Sequence, residues 1–236
     1  MPAPLAIDLA GRRIAVTGAF GALGRSVVRT LADAGARVAA IDLTGPCAGM
    51  TGDPAILPLP EVDLAELDSA RSAFARIGEA FGGLDGLCNL AGGFRWQRLA
   101  DGEPAAFDLM FWMNLRTAAV ASTAALPLLA DGRASIVNIA ALSALKAGEG
   151  MAAYAAAKAG VMKLTEALAE ELKPRGIRVN AVLPSIIDTP ANRADMRDAD
   201  FSRWVRPEEI AHLIAFLLSD LASGVNGALI AAPGRL

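Results

Sequence analysis

The stretch from Arg12 to Asp42 narrows the possible folds most. IAVT belongs to a short apolar strand over 12–17, and TGAFGALG at 17–24 is a glycine-rich turn. Val27, Val28, Leu31 and Ala32 then recur at helical spacing until Gly35 stops the run, and ARVAAID at 36–42 is β-like again. Parallel strands can be joined only by a crossover of this kind. A glycine turn at the mouth of a helix also lets backbone approach a pyrophosphate, whose charge the free N–H groups and positive dipole end of the helix favour. Gly18, Gly21 and Gly24 are the glycines concerned. The competing reading is a tight turn that binds nothing, but the strand before and the helix after favour a dinucleotide. Asp42 ends the second strand, 18 residues after Gly24. A carboxylate there suits the two ribose hydroxyls of NAD and repels the 2′-phosphate of NADP. Leu43 and Thr44 add no basic residue, so NAD is expected over NADP.

The alternation continues along the chain: a strand at 55–60, an amphipathic helix at 64–81, a strand at 84–93, a long helix at 104–130 and a strand from Ile136. A helix at 151–173, a strand at 176–185, a helix at 207–219 and a last strand at 227–234 complete it. This pattern predicts an α/β fold, a single doubly wound Rossmann-type domain over 1–236. Its sheet is mostly parallel, with about seven strands and helices on both faces. At 236 residues with 54% hydrophobic content, the chain can bury one large core. A net charge of −3 without a basic stripe argues against nucleic acid. The N-terminus has no basic start followed by an apolar run, so no secretory signal is expected. The apolar stretch 118–130 carries Ser122, Thr123 and Pro127 and is shorter than the roughly 20 residues that span a bilayer. No membrane association and a cytoplasmic location follow as expectations. Cys47 and Cys88 lack ligand spacing, and His212 is the only histidine, so neither a metal site nor a Ser-His-Asp triad is expected.

Tyr154 and Lys158 lie four residues apart in MAAYAAAK, which places a phenol and an ammonium on one helical face. A nearby positive charge favours phenolate, so Lys158 is expected to lower the Tyr154 pKa and let the phenol exchange a proton with a reacting oxygen. Strand, loop, Tyr and Lys together resemble the active-site segment of short-chain dehydrogenases/reductases. The family's serine, thirteen residues before the tyrosine, is here Ala141, and Ser143 is the nearest hydroxyl. Thr17, Gly18 and Gly24 match the family's T-G-x-x-x-G-x-G, with Ala22 at the middle glycine and Gly21 one position earlier. Asn89-Leu90-Ala91-Gly92 resembles N-N-A-G, and FWMNLRT carries an asparagine, Asn114, where the family has one in its proton relay. Pro184-Ser185-Ile186-Ile187-Asp188-Thr189 resembles P-G-x-x-x-T.

The resemblance implies catalysis by Tyr154, Lys158 and Asn114. It implies cofactor contacts along the turn at Gly18, Phe20, Gly21 and Leu23, at the ribose end at Asp42 and Leu43, and beside the adenine at Asp63 and Leu64. Further contacts are implied at Asn89, Ala91 and Gly92 and, by the nicotinamide, at Pro184, Ile187 and Thr189. Phe94 and Trp96 follow a strand end, where they either wall a planar substrate or pack a loop. Ala141 and Met151 border the same substrate space. The polar segment 190–206 is the expected substrate lid, and its Trp204 either closes over a ligand or docks the loop. Ala141, GALG and the D-T-P-x-N-R and A-D-F-S-x-W elements look more like quinonoid dihydropteridine reductases, whereas Asn89 and Asn114 look like the general family. Hydride transfer between NAD(H) and a small organic substrate, possible on a quinonoid dihydropterin, is the activity implied. A cofactor-binding scaffold without turnover and a dehydratase or epimerase using bound NAD are the alternatives. The family's pairing of its long helices implies a homodimer or homotetramer.

Overall fold

The structure is a computed structural model that describes residues 7–45 and 50–235; Cys47 lies outside the described residues. Seven strands form one parallel sheet in the order β3-β2-β1-β4-β5-β6-β7. They are β1 (Arg13–Thr17), β2 (Arg37–Ile41), β3 (Ile56–Leu59), β4 (Gly86–Asn89), β5 (Ser135–Ile139), β6 (Arg178–Pro184) and β7 (Leu229–Ala232). Both faces are covered, so the strands read as continuous apolar runs rather than alternating ones. Ile14, Val16, Val38 and Ala40 point into a core shared with α1 (Ala22–Asp33) and α7 (Pro207–Leu218). Ala15, Ala39 and Ile41 point the other way, into a core that includes residues of α2 (Leu67–Phe81), α4 (Thr117–Ala125) and α5 (Ala152–Glu171).

The chain turns left in the sheet after β1 and right after β4, so the crevice between their carboxyl ends is a topological switch point, where ligands of open α/β sheets bind. Thr17 fastens the two strand ends. Its hydroxyl accepts from the backbone N–H groups of Leu90 (3.0 Å) and Ala91 (3.1 Å) and donates to the Cys88 carbonyl (3.3 Å). Cys88 itself is a buried apolar filler whose thiol burial pushes up in pKa.

Element boundaries differ from the sequence expectation in three informative places. First, α1 begins at Ala22, so Gly24 lies inside its first turn. Second, the long helix of 104–130 is α3 (Ala105–Met110), a π-helical turn over Phe111–Arg116, then α4, which stops two residues short of Pro127. π turns cluster at functional sites because they re-aim a side chain, and here the re-aimed one is the buried Asn114. Third, the polar segment after β6 contains α6 (Pro190–Asp195) and a tight turn over Phe201–Arg203.

A buried polar strut joins the layers beneath the crevice. Asn89 donates to the Ser122 hydroxyl (3.0 Å) and to the side-chain Oδ1 of Asn138 (2.8 Å). Asn138 donates to the Thr165 hydroxyl (2.8 Å), which donates to the Val161 carbonyl (2.8 Å). The strut thus fixes α5 against β5 and β4. Asn138→Ala should lower stability by about 2–3 kcal/mol, because it leaves a buried Asn89 donor and the buried Thr165 hydroxyl oxygen without their partners. Thr123→Ala, on the exposed face of α4, should stay within ~0.5 kcal/mol. Urea unfolding of the two variants checks this.

Candidate active site

The glycine turn is a steric necessity at two of its three glycines. A Cβ on Gly18 (φ +64°) would stand 2.9 Å from the Ala91 backbone, and one on Gly24 only 2.0 Å from the Gly18 carbonyl oxygen. Gly21, one position before the family's middle glycine, has φ −67° and meets nothing closer than 3.4 Å. Ala22 simply opens the helix, for which alanine is well suited. The first turn of α1 has neither a side-chain cap nor an acidic residue, so its N–H groups face the crevice free for an anion. Asp42 stands beside it. One carboxylate oxygen accepts from the Phe20 N–H (2.9 Å), the other from the Thr44 N–H (3.1 Å) and hydroxyl (3.0 Å).

Several expected cofactor residues turn their side chains away from the crevice. Phe20 and Leu64 are buried in the two cores, and Leu23 packs against the first of them. Asn89 is spent in the polar strut, although its Oδ1 has no partner. Asp63 accepts from the Ala65 N–H (2.8 Å), and Leu43 is exposed. Any contact from Phe20 or Leu64 is therefore a backbone contact.

Asn114, Gly92 and Lys158 converge at the floor. Asn114 holds Gly93 in both directions, accepting from its N–H (3.3 Å) and donating to its carbonyl (3.0 Å), and it also donates to the Met110 carbonyl (3.0 Å). Its amide is a clamp on the strand end rather than a free link to solvent. A Cβ on Gly92 would fall 2.5 Å from Asn114 Oδ1 and 3.5 Å from Lys158 Nζ. Lys158 is 5% exposed, and its ammonium donates to the Ile139 carbonyl (2.8 Å). Burial pushes its pKa down to about 8.

Tyr154 shares that helical face, with Lys158 Nζ 5.9 Å from its ring centre. The expectation that Lys158 lowers the phenol pKa is corrected here: burial pushes Tyr154 up to about 12. Desolvation of the phenol in its apolar surroundings disfavours phenolate and outweighs the nearby ammonium.

The walls follow. Phe94 meets Tyr154 edge-to-face at 5.0 Å. Trp96 lies on Gly150, where a Cβ would come within 2.2 Å of the indole, and donates to the Glu149 carbonyl (2.9 Å). Trp96 therefore packs the loop before α5, and Phe94 lies against the Tyr154 phenol. Met151 caps that helix, half-buried. Ala141 is buried, and Ser143 Oγ is buried without a hydrogen-bond partner.

Trp204, read as a possible substrate contact, is 2% exposed and docks the loop, its ring 4.7 Å from Phe201. Pro184 is buried at the end of β6, while Ile187 bridges Val205 and Thr189 caps α6 by accepting from the Asn192 N–H (3.2 Å). Sequence reading missed the pin of this segment, a two-armed Asp188–Arg193 pair (2.5 and 2.7 Å) with Arg193 4.9 Å over the Phe201 ring. The five-residue spacing of opposite charges was its only trace. His212 sits on the exposed side of α7.

Comparison with known proteins agrees with this fold. A family model described as enoyl-(acyl carrier protein) reductase matches residues 18–234. Nodulation protein G of Azospirillum brasilense is 34% identical over 236 residues, covering 94% of this chain and 96% of its own. The short-chain dehydrogenase/reductase (glucose/ribitol dehydrogenase) of Brucella melitensis superposes with a TM-score of 0.89 at 31% identity, covering 98% of each chain. Carveol dehydrogenase of Mycobacterium avium, solved in complex with NAD, gives 0.84 at 28% identity over 96% of this chain and 97% of its own.

Two predictions follow from these environments. Gly24→Ala should cost at least about 1–3 kcal/mol through overpacking against backbone, whereas Gly21→Ala should cost under ~1 kcal/mol; urea melts distinguish them. Tyr154 is the chain's only tyrosine, so tyrosinate absorbance reads it alone, and its midpoint should lie near 12 when folded and near ~10 in denaturant. From about pH 8 to 10 the unfolded chain retains a Lys158 proton that the folded chain has released, so stability rises with pH. Above about 10 the folded chain retains a Tyr154 proton that the unfolded chain loses, so stability falls again. Lys158→Met should flatten the rise.

Proposed function

The chain belongs to the short-chain dehydrogenase/reductase family, and from that premise we propose that it transfers hydride between NAD(H) and a small, planar organic substrate, with Tyr154 as proton donor. One observation carries the reading. Lys158 is a buried cation with a carbonyl partner and, among the described residues, no carboxylate partner. A charge held this way is costly unless a ligand uses it. The residues present fit a dinucleotide: the uncapped α1 N-terminus and Gly18 for the pyrophosphate, Asp42 for the adenosine ribose, Lys158 for the nicotinamide ribose. The Asp42 carboxylate favours NAD over NADP. When bound, the nicotinamide supplies or accepts the hydride.

The chain's own residues do the remaining work. Burial keeps the Tyr154 phenol protonated at neutral pH, which suits it to give a proton in the reductive direction. Asn114 acts as a positioning residue by holding Gly93. Phe94 supplies an apolar face against the phenol, in keeping with a flat substrate. The methyl group of Ala141 offers no hydrogen bond to a reacting oxygen, which favours a quinonoid dihydropterin-like substrate over a simple ketone. The same reading takes residues 1–236 as one domain, 190–206 as the substrate lid, and the protein as a cytoplasmic homodimer or homotetramer. The exposed Phe107, Phe111 and Trp112 on the α3 and π-turn segment support self-association.

The test uses NADH with a quinonoid dihydropterin and a panel of ketones. Tyr154→Phe should lower turnover by about 10²–10⁴. Ala141→Ser should raise ketone turnover by about 10²–10³ and leave the quinonoid reaction nearly unchanged. Unaltered turnover in Tyr154→Phe would end the proposal. NADH binding without any single-turnover oxidation across the panel would favour the scaffold alternative.

A further inference from the structure

We propose that a divalent oxyanion, either phosphate or a phosphate monoester, binds a pocket at the amino-terminal edge of the sheet, lined by Arg133, Lys173 and Arg178. The pocket has a volume of about 280 Å³ and lies where β5 and β6 begin, at the opposite end of the strands from Tyr154. Its floor is bare backbone. Gly176 (φ +64°) approaches Gly132 so closely that a Cβ would stand 2.9 Å from the Gly132 Cα.

Charge is the main argument. Arg12, Arg13, Arg133 and Arg178 gather around two carboxylates, Asp85 and Asp220. Asp85 is consumed by Arg13 (2.8 Å) and Arg133 (3.5 Å). Asp220 lines the pocket too, turned largely to solvent and paired with Arg12. Lys173 stands at the rim, with Glu170 3.5 Å away. Five cations thus face three carboxylates, and Arg12 is nearly fully buried. Arg178 spends its guanidinium on two neutral carbonyls, Val225 (3.4 Å) and Ser219 (3.1 Å). Burial and the repulsion of Arg12 push its pKa down. Two like charges held together behind a concave, glycine-floored surface are relieved by an incoming anion. Two negative charges match the excess, and a phosphate's oxygens suit planar guanidinium donors. Bound there, the anion would tie β5, β6 and the connection from α7 to β7.

The test is calorimetric titration of the full chain at pH 8 and constant ionic strength, with inorganic phosphate in one arm and glycerol 3-phosphate in the other. Lys163→Gln, an exposed charge on α5 away from the pocket, serves as the control. Saturable binding of one equivalent is expected, unchanged in the control and weakened about tenfold or more by Arg133→Gln or Lys173→Gln. Binding of inorganic phosphate alone assigns a free-ion site, and tighter binding of glycerol 3-phosphate assigns a monoester site. No saturable binding in either arm overturns the proposal. So does binding that persists in the Arg133→Gln/Lys173→Gln double variant, since the anion would then be held elsewhere, for example at the glycine turn.

Discussion

The contact between the ends of β1 and β4 governs what the crevice can hold. The Thr17 hydroxyl ties Leu90 and Ala91 to the first strand, and Gly18 then turns across the Ala91 backbone with no room for a Cβ. Side chains are excluded from both walls at that point. What remains facing the crevice is backbone: the start of α1 on one side, Ala91 to Gly93 on the other. The same turn places the Phe20 N–H against Asp42 and so fixes the carboxylate at the end of β2. A substitution that forces this junction apart would disturb the start of α1, Asp42 and the floor together, because one hydroxyl and one glycine hold all three.

At the floor, desolvation competes with charge and wins. Burial of the Tyr154 phenol disfavours phenolate more than the Lys158 ammonium, 5.9 Å from the ring centre, favours it. Lys158 is buried more completely than its neighbour, and that burial lowers its own pKa. Each group is held closer to neutrality by the same apolar surroundings. An anionic ligand beside Lys158 would favour its charged form, so the proton chemistry of the pair is conditional on what occupies the crevice.

The fold was legible because both faces of the sheet are buried and the strands are therefore uninterrupted apolar runs between helices of period near 3.6. Tyr154, Lys158 and Asn114 were legible as types at spacings, and the structure does bring the last two together around Gly92. What could not be read was direction. Trp204 and Phe94 are both aromatics beside polar loops, yet one is sealed under the 190–206 segment and the other faces the phenol. Leu64 and Phe20 have cofactor-like places in the sequence, but their side chains fill the cores. The π turn was equally hidden: Phe111–Arg116 has no proline or glycine to announce it, and the clamp of Asn114 on Gly93 is visible only in three dimensions. Glycines misled in a specific way, since spacing cannot say that Gly24 is sterically obligatory while Gly21 is not.

Position 141 sets what kind of charge the site can stabilise. A tetrahedral oxyanion formed from a ketone gains most from two donors aimed at one oxygen. Ala141 removes one of them. Ser143 does not replace it where it stands: its Oγ is buried without a partner, on a turn whose Leu142 and Ala144 pack toward β6 and α5. A ketone would then rely on the phenol of Tyr154 alone, itself reluctant to ionise. A conjugated system that spreads the incoming electron pair over several ring atoms asks less of any single donor. It asks more of a flat apolar contact, the part the proposed function gives to Phe94, whose ring meets Tyr154 edge-to-face. Under the proposed function, the missing hydroxyl and the added aromatic point the same way, toward a substrate recognised by its plane and protonated once.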